Sequence, residues 1–179
     1  MRVHNPELLS LSRIEWQFFC TFTFKSERLT EANRFSIFFA LLRTQARNFG
    51  VHFKHLVWAL RRESGESTGR LHFHALIAGL PPSGRTTATC FATMRLWESL
   101  GGGFAKVTVY NPTLDGVDYI LKRGDELAGS LATRYAGDYH ETQKFGGSCD
   151  VMLSESVFKV LEGRRAIGQR RHPASGKAE

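Results

Sequence analysis

The stretch that decides the fold is HLVWALRRESGESTGRLHFHALIA at residues 55–78. His55–Glu63 and Arg70–Ala78 are rich in apolar and β-forming residues, which is typical of strands. The polar, glycine-bearing segment SGESTG between them is typical of a hairpin loop. Because two strands joined by a short loop pair in antiparallel fashion, the sequence predicts an antiparallel sheet that contains this pair.

The flanking sequence adds strands and helices on both sides of this pair. We predict strands at Glu15–Phe24 and Phe104–Tyr110, an edge strand at Val151–Leu153, a helix from the N-cap Thr30 to Gly50, a helix at Thr87–Leu100, a short helix ending at Arg123 and a last helix at Ser154–Leu161. This order predicts an α+β fold, with a central antiparallel sheet of about five strands and helices packed on it. Residues 1–162 are predicted to form a single domain, and residues 163–179 a basic, disordered tail.

The charge of the chain favours a polyanionic partner. The chain has 179 residues, 42% of them hydrophobic, which is enough for a folded domain with a core. Its formal net charge is +7 and its pI is about 9.7. Such an excess favours nucleic acid first and an anionic membrane surface second, although it can also serve solubility alone.

The cysteines and the apolar runs bear on the compartment. Cys20, Cys90 and Cys149 are odd in number and widely spaced, so we expect neither a disulfide framework nor a zinc knuckle. A reducing cytoplasm fits this pattern best. The opening MRVHNP is followed by no apolar run, so no signal peptide is expected. No run reaches the roughly 20 apolar residues of a membrane span, so we expect no membrane partner.

His72 and His74 are the first candidate functional residues. Residues i and i+2 of a strand point to the same face, so both imidazoles should project together while Phe73 points into the core. Two neutral imidazoles placed in this way can bind one metal ion. A His-x-His pattern also occurs in strands by chance, so this pair needs a third ligand.

Glu63 is the candidate third ligand. It ends the strand before the loop, so the hairpin should bring it beside the strand that carries His72 and His74. One carboxylate and two imidazoles leave coordination positions open, and this mixed set suits Mn²⁺ or Mg²⁺ better than a closed zinc site. The open positions would take phosphate oxygens. The alternative is that Glu63 is a solvated charge at a strand end.

Tyr119 and Lys122 form the third candidate pair. They are surface neighbours at i and i+3 on a predicted helix, whose other side carries Val117, Ile120 and Leu121 to anchor it on the sheet. A nearby ammonium favours the phenolate, so Tyr119 is a candidate nucleophile. The alternative is an ordinary amphipathic helix with an exposed lysine.

The order of these motifs resembles that of the HUH endonuclease superfamily, in particular the rolling-circle replication initiator (Rep) proteins. Its aromatic and threonine-rich first motif corresponds to FFCTFTF at Phe18–Phe24, and its His-hydrophobic-His motif to LHFHALI at Leu71–Ile77. Its Tyr-x-x-Lys motif corresponds to YILK at Tyr119–Lys122, and Glu63 matches an acidic metal ligand at the end of the preceding strand. The resemblance covers roughly residues 15–125.

The resemblance implies a fold and a chemistry. The fold is an HUH/RRM-like palm, an antiparallel sheet backed by helices. The activity is the nicking and joining of single-stranded DNA through a 5′-phosphotyrosine on Tyr119, with a divalent metal at Glu63, His72 and His74. Lys122 would position the phosphate or lower the pKa of the tyrosine. The start of rolling-circle replication is the expected process.

The resemblance also implies the partners. The DNA would be a single-stranded origin or stem-loop, and Arg61, Arg62, Arg70 and Arg123 could follow its backbone or form a solvated face. The sequence GxxxxGK[ST] does not occur, so a replication initiator of this kind would need a separate helicase.

Other functions stay open at this point. A single-strand transposase or a conjugative relaxase belongs to the same superfamily, although relaxases carry a histidine triad and an N-terminal tyrosine. Some relatives use two tyrosines, and Tyr135 and Tyr139 lie four apart, but they lack the lysine partner. A non-catalytic, RRM-like module would explain charge and fold without using Glu63 or the histidines. A two-histidine phosphoesterase would need two separate His-x-Thr/Ser motifs, whereas the chain offers one His-x-His.

Overall fold

The computed structural model describes residues 11–65, 69–114, 116–120, 135–136, 139–140, 143–145, 149–157, 159–160 and 163. The strands are β1 (Phe18–Phe24), β2 (Val57–Ser64), β3 (Leu71–Ala78), β4 (Gly102–Val109), β5 (Tyr135–Ala136), β6 (Tyr139–His140), β7 (Gln143–Phe145) and β8 (Cys149–Leu153). The helices are α1 (Glu31–Asn48), α2 (Thr87–Ser99) and the short α3 (Gly116–Ile120), and residues 155–157 and 159–160 are also helical. None of these described helices has the length and hydrophobicity that a membrane crossing requires.

A six-stranded sheet in the order β4-β1-β3-β2-β8-β7 organises the described residues. Every pair of neighbouring strands in it is antiparallel. The predicted α+β class, with a central antiparallel sheet and helices packed on it, is therefore confirmed, and the sheet has one strand more than the five predicted. β5 and β6 pair with each other in a separate two-stranded sheet.

The strand predicted at the sheet edge, Val151–Leu153, lies inside the sheet instead. It belongs to β8, which pairs with β2 on one side and with β7 on the other. The prediction was wrong because β7 consists of only three residues, QKF, and so short a segment carries no alternating pattern that predicts a strand.

The larger hydrophobic core lies between one face of the sheet and helices α1 and α2. Alternate residues of β1 and β3 point into it, and among them Phe22 and Phe73 are fully buried. The ring centroid of Phe22 lies 4.4 Å from that of Trp97 on α2, and the ring centroid of Phe73 lies 5.1 Å from that of Phe35 on α1. The prediction that Phe73 points into the core, away from the neighbouring histidines, is confirmed.

Helix α1 packs on this face through buried residues that include Phe35, Phe38 and Leu42. Thr30 caps its start by accepting a hydrogen bond from the backbone N–H of Asn33 at 3.2 Å, and Gly50 follows its end with φ of 65°. Both boundary residues were predicted, since a threonine N-cap and a glycine just past the last turn are strong local signals.

Two cysteines also lie in this core. Cys20 and Cys90 are buried, and burial raises the pKa of both thiols, with the nearby Cys90 adding to the rise at Cys20. Both groups are therefore neutral thiols near pH 7, and neither is a candidate nucleophile or metal ligand.

The opposite face of the sheet carries a smaller hydrophobic cluster and a polar region. Val117 and Ile120 of α3 are buried in this cluster beside Leu76 of β3 and Ala59 of β2. The prediction that Val117 and Ile120 anchor the helix on the sheet is confirmed. These two residues hold α3 against β2 and β3. The helix therefore lies beside the polar ends of those strands.

Phe73 is the core residue on which the position of both histidines depends. We expect Phe73→Ala to lower the free energy of unfolding by about 3–5 kcal/mol, because the change leaves a cavity under the middle of the sheet. Phe104→Ala, at a β4 side chain that is 70% exposed, should change it by about 0.5 kcal/mol or less. Urea unfolding followed by circular dichroism measures both values. Equal effects would contradict the assignment of Phe73 to the core.

Candidate functional site

The pairing of strands places the candidate residues in two rows across the sheet. In one row Thr23 of β1 lies opposite His72 of β3, which lies opposite Glu63 of β2. In the next row Thr21 lies opposite His74, which lies opposite Arg61. Because strand residues alternate between faces, both rows point away from Phe73 and share the face on which α3 lies.

Glu63, His72 and His74 converge as predicted. Oε2 of Glu63 lies 3.8 Å from Nε2 of His72 and 3.5 Å from Nε2 of His74. One ligand atom from each residue lies within 4.8 Å of the others, so the group could hold a metal ion. The Glu63 and His72 side chains are 14% and 21% exposed, and His74 is buried, so the group is open to solvent on one side only.

The other ring nitrogen of each histidine has a partner that orients it. Nδ1 of His72 lies 3.2 Å from the backbone carbonyl oxygen of Arg70, and Nδ1 of His74 lies 3.1 Å from Oγ1 of Thr21. Since a carbonyl oxygen only accepts, the neutral His72 ring donates from Nδ1 and leaves the lone pair of Nε2 facing Glu63. Partners of this kind fix the orientation of metal-binding histidines.

A buried carboxylate oxygen without a hydrogen-bond donor in the described part of the chain is the observation that favours a divalent cation at this place. Oε2 of Glu63 is buried, and among the described residues no donor forms a hydrogen bond with it. A carboxylate oxygen removed from water without a donor is costly, and a metal ion shared with the two Nε2 atoms would compensate for it. The three residues therefore fit a divalent cation by donor type as well as by distance.

Tyr119 of α3 lies directly beside this group. Its hydroxyl oxygen is 3.4 Å from Nε2 of His74, and the two rings meet edge to face with centroids 4.7 Å apart. Phe19 of β1 packs against both rings, at 5.9 Å from that of Tyr119 and 6.2 Å from that of His74. The phenol, the imidazoles and the carboxylate thus meet at one place, and Tyr119 keeps a partly exposed side chain there.

Arg61 connects the tyrosine helix to the metal-binding group. Its side chain is 1% exposed, and Nη1 donates to the carbonyl oxygen of Ile120 at 3.2 Å and to that of Tyr119 at 3.4 Å. Its Nε lies 3.7 Å from Oε2 of Glu63. One buried cation therefore lies beside carbonyl oxygens of α3 and beside a carboxylate at the same time.

The position of Arg61 corrects its prediction as a residue that follows a DNA backbone. A guanidinium that is buried under α3 cannot reach a strand in solvent. Arg62 also differs from the prediction, since it points to the core side and pairs with Glu31 of α1 at 2.6 Å. Arg70 is exposed and pairs with Glu27 at 2.9 Å, so of these three arginines it alone lies on an open surface.

Several predicted residues are not among those that the structure describes. Leu121, Lys122 and Arg123 follow the described part of α3, and the predicted tail lies beyond Gly163. The backbones of Tyr135 and Tyr139 lie in β5 and β6, but their side chains are outside the described part. The roles predicted for these residues remain predictions.

Sequence reasoning missed two contributors from β1. Thr21 orients His74, and Phe19 packs against His74 and Tyr119. The alternation in FFCTFTF contained the signal, because Phe18, Cys20 and Phe22 share the core face and leave Phe19 and Thr21 on the other. What the alternation could not indicate is that β1 lies next to β3.

Neither the models of protein families nor the curated proteins contain a match to this chain. The function is therefore argued from the site itself.

Metal binding is the first property of this site to test. We expect Mn²⁺ at about 100 times its dissociation constant to raise the melting temperature by about 5–10 °C, because the ion binds only the folded site. The double variant His72→Ala/His74→Ala should lose this rise. Differential scanning fluorimetry with and without EDTA measures it.

A matched control is available in the same chain. His52 and His55 are an exposed pair of histidines whose ring centroids lie 5.6 Å apart. His52→Ala/His55→Ala should keep the rise in melting temperature, because neither residue belongs to the group with Glu63. A loss in the control equal to that in the site variant would show unspecific binding to histidines.

The buried guanidinium predicts a large effect on stability. Arg61→Met should lower the free energy of unfolding by about 3–5 kcal/mol, because it leaves Glu63 and two helix carbonyls without their cation. Arg70→Met removes an exposed ion pair with Glu27 and should cost about 1 kcal/mol or less. Urea titrations give both values. Similar losses in the two variants would refute the linking role of Arg61.

Proposed function

We propose that this protein is a metal-dependent, site-specific endonuclease that cuts single-stranded DNA and joins its 5′ end to Tyr119. The observation that carries the proposal is the position of one phenol oxygen. It lies 3.4 Å from Nε2 of His74, and that imidazole shares the metal-binding group with Glu63 and His72. A nucleophile beside a cation site is the arrangement that phosphoryl transfer requires.

The proposed reaction is a transesterification in which the number of phosphate ester bonds stays constant. The phenol oxygen of Tyr119 forms a bond to phosphorus while the bond from phosphorus to the 3′ oxygen breaks. The phenol loses its proton, and the leaving oxygen gains one and becomes a 3′-OH. Because the phosphotyrosine keeps the energy of the broken ester, a 3′-OH can attack it and restore the strand.

The side chains around Tyr119 would hold it ready for this attack. Packing against Phe19 and His74 limits the rotation of its ring, and the hydrogen bonds from Arg61 fix the backbone of α3. A nucleophile held in a near-attack position reacts faster because less orientational freedom is lost in the transition state. Lys122, three residues after Tyr119 in the sequence, would add a positive charge.

Glu63, His72 and His74 would hold the divalent ion. Two imidazoles and one carboxylate are ligands that Mn²⁺ accepts readily, with Mg²⁺ as the second choice, and they leave positions for oxygen ligands. The bound ion supplies positive charge that stabilises the scissile phosphate in the transition state. The buried Oε2 of Glu63 supports this assignment, since it lacks a hydrogen-bond donor among the described residues.

Single-stranded DNA is the substrate that the combined observations favour. The net charge of +7 favours a polyanion. The order of the three motifs, which resembles that of HUH endonucleases, favours a DNA strand over other phosphate esters. Within that superfamily we propose the initiation of rolling-circle replication, helped by a separate helicase. A single-strand transposase is the alternative, and it would act at the ends of its own DNA element.

The covalent intermediate tests this function directly. Wild-type protein with Mn²⁺ should form an adduct with a pool of random single-stranded oligonucleotides that carry a fluorophore at the 3′ end. Tyr119→Phe should lower adduct formation at least about 1000-fold, because the nucleophile is absent. A fluorescent band on a denaturing gel measures it, and mass spectrometry of the digested band should find the nucleotide on Tyr119.

Two comparisons make this test specific. Tyr135→Phe and Tyr139→Phe should keep the adduct, whereas EDTA and His72→Ala/His74→Ala should abolish it. A Tyr119→Phe protein that still forms the adduct would overturn the assignment of the nucleophile. DNA binding that is indifferent to EDTA, with no adduct under any condition, would instead favour the non-catalytic, RRM-like module.

A further inference from the structure

An exposed aromatic side chain lies on the same face of the sheet as the candidate site. Phe104 of β4 is 70% exposed, although it is large, apolar and part of a regular strand. Lys106, two residues further along β4, is also exposed. Single exposed apolar side chains are common on protein surfaces, and what distinguishes Phe104 is that it shares a sheet face with the candidate site.

A β-bulge directs Phe104 to this face. The register of β1 and β4 shifts between Phe22 and Phe24, so that Gly103 and Phe104 together lie opposite Thr23. A Cβ atom on Gly103 would lie 2.8 Å from Oγ1 of Thr23, which shows that this residue faces the side on which Thr23 points. The hydroxyl of Thr23 also donates to the carbonyl oxygen of Phe104 at 2.9 Å.

The residues on either side of the bulge point to the core instead. A Cβ atom on Gly102 would lie 2.2 Å from Nε1 of Trp97, and Ala105 is buried in the same core. The bulge therefore lets β4 keep its core residues in place while it presents Phe104 on the opposite face. Bulges of this kind often re-aim a side chain next to a functional site.

Phe104 and Lys106 lie in the two rows that contain the metal-binding group. Phe104 continues the row of Thr23, His72 and Glu63, while Lys106 lies opposite Thr21 in the row of His74. β4 is separated from β3 only by β1, which corresponds to about 10 Å between Phe104 and His72. This distance lies within reach of a nucleotide close to the one that carries the scissile phosphate.

We propose that Phe104 and Lys106 form a nucleotide-binding subsite, in which Phe104 stacks on a base and Lys106 contacts a phosphate. The proposal rests on the proposed function for its ligand, a single DNA strand. An exposed aromatic ring beside a cation is the combination with which proteins bind single strands independently of sequence. The subsite would hold the strand across β4 and β1 while the next phosphates lie at Glu63, His72 and His74.

Binding without metal tests the subsite separately from the chemistry. The probe is a fluorescein-labelled oligothymidylate, measured by fluorescence anisotropy in EDTA. Phe104→Ala should weaken binding about 5- to 100-fold, because one base loses its stacking partner, and Phe104→Trp should restore it. The matched control is Phe91→Ala on α2, which is 55% exposed but lies on the helix side of the sheet and should leave binding unchanged.

A second probe separates stacking from a general structural effect. An oligonucleotide of the same length in which every base is replaced by an abasic site keeps the phosphates and lacks the rings. Phe104→Ala should bind this probe as the wild type does, because there is no base to lose. Lys106→Gln should weaken binding of both probes, and it should reduce by about 0.7 the magnitude of the slope of the logarithm of the binding constant against the logarithm of the salt concentration. The control Lys54→Gln, at another exposed lysine, should change neither quantity.

The outcomes distinguish the two proposals. If Phe104→Ala and Phe91→Ala bind oligothymidylate equally, or if the wild type does not bind it, the subsite is refuted even when the adduct on Tyr119 forms. If the adduct never forms but the base-dependent effect of Phe104→Ala is present, the subsite stands and the proposed transesterification fails.

Discussion

The antiparallel register of β2 and β3 is the constraint on which the site depends. It pairs Glu63 with His72 and Arg61 with His74, so an acid, two imidazoles and a guanidinium share a few ångströms of one sheet face. A shift of the register by one residue would turn one set of side chains to the other face. The core prevents this, because Phe73 and the neighbouring apolar residues of both strands would then leave their contacts with α1. Burial of apolar side chains on one face of the sheet thus fixes the positions of Glu63, His72 and His74 on the other face.

The same register explains how α3 can place Tyr119 beside the candidate metal-binding group. The described part of α3 comprises Gly116–Ile120. Val117 and Ile120 bury the apolar side of α3, and Arg61 donates hydrogen bonds to the carbonyl oxygens of Tyr119 and Ile120. Since Arg61 also lies 3.7 Å from Glu63, one buried cation contacts both the carboxylate and the backbone of α3. The position of the Tyr119 hydroxyl is therefore coupled to the ligand group through the sheet and not only through its own chain neighbours.

Much of this arrangement could be predicted from the sequence, because it follows from local periodicity. Alternation in LHFHALI gives the shared face of His72 and His74, and the hairpin loop places Glu63 beside them. The burial of Arg61 could not be predicted, because the alternation indicates on which sheet face Arg61 lies but not that α3 covers it. The inner position of β8 depends on a pairing with β7, whose three residues are too few to show an alternating pattern. The bulge at Gly103 could not be predicted either, because a run of three glycines after a helix is equally typical of the end of that helix.

Under the proposed function, the way in which α3 covers the sheet would limit how a single strand of DNA approaches. The helix contacts β2 and β3, and the sheet continues from β3 through β1 to the edge strand β4. Side chains on the β4 part of this face are exposed, including Lys106 and Thr108. A DNA strand with one phosphate beside Tyr119 would therefore have α3 on the β2 side of that phosphate and the exposed surface of β1 and β4 on the other side. Because that open surface presents a bulge-directed phenylalanine and a lysine, the path that leads to the proposed nucleophile runs across β4 and β1.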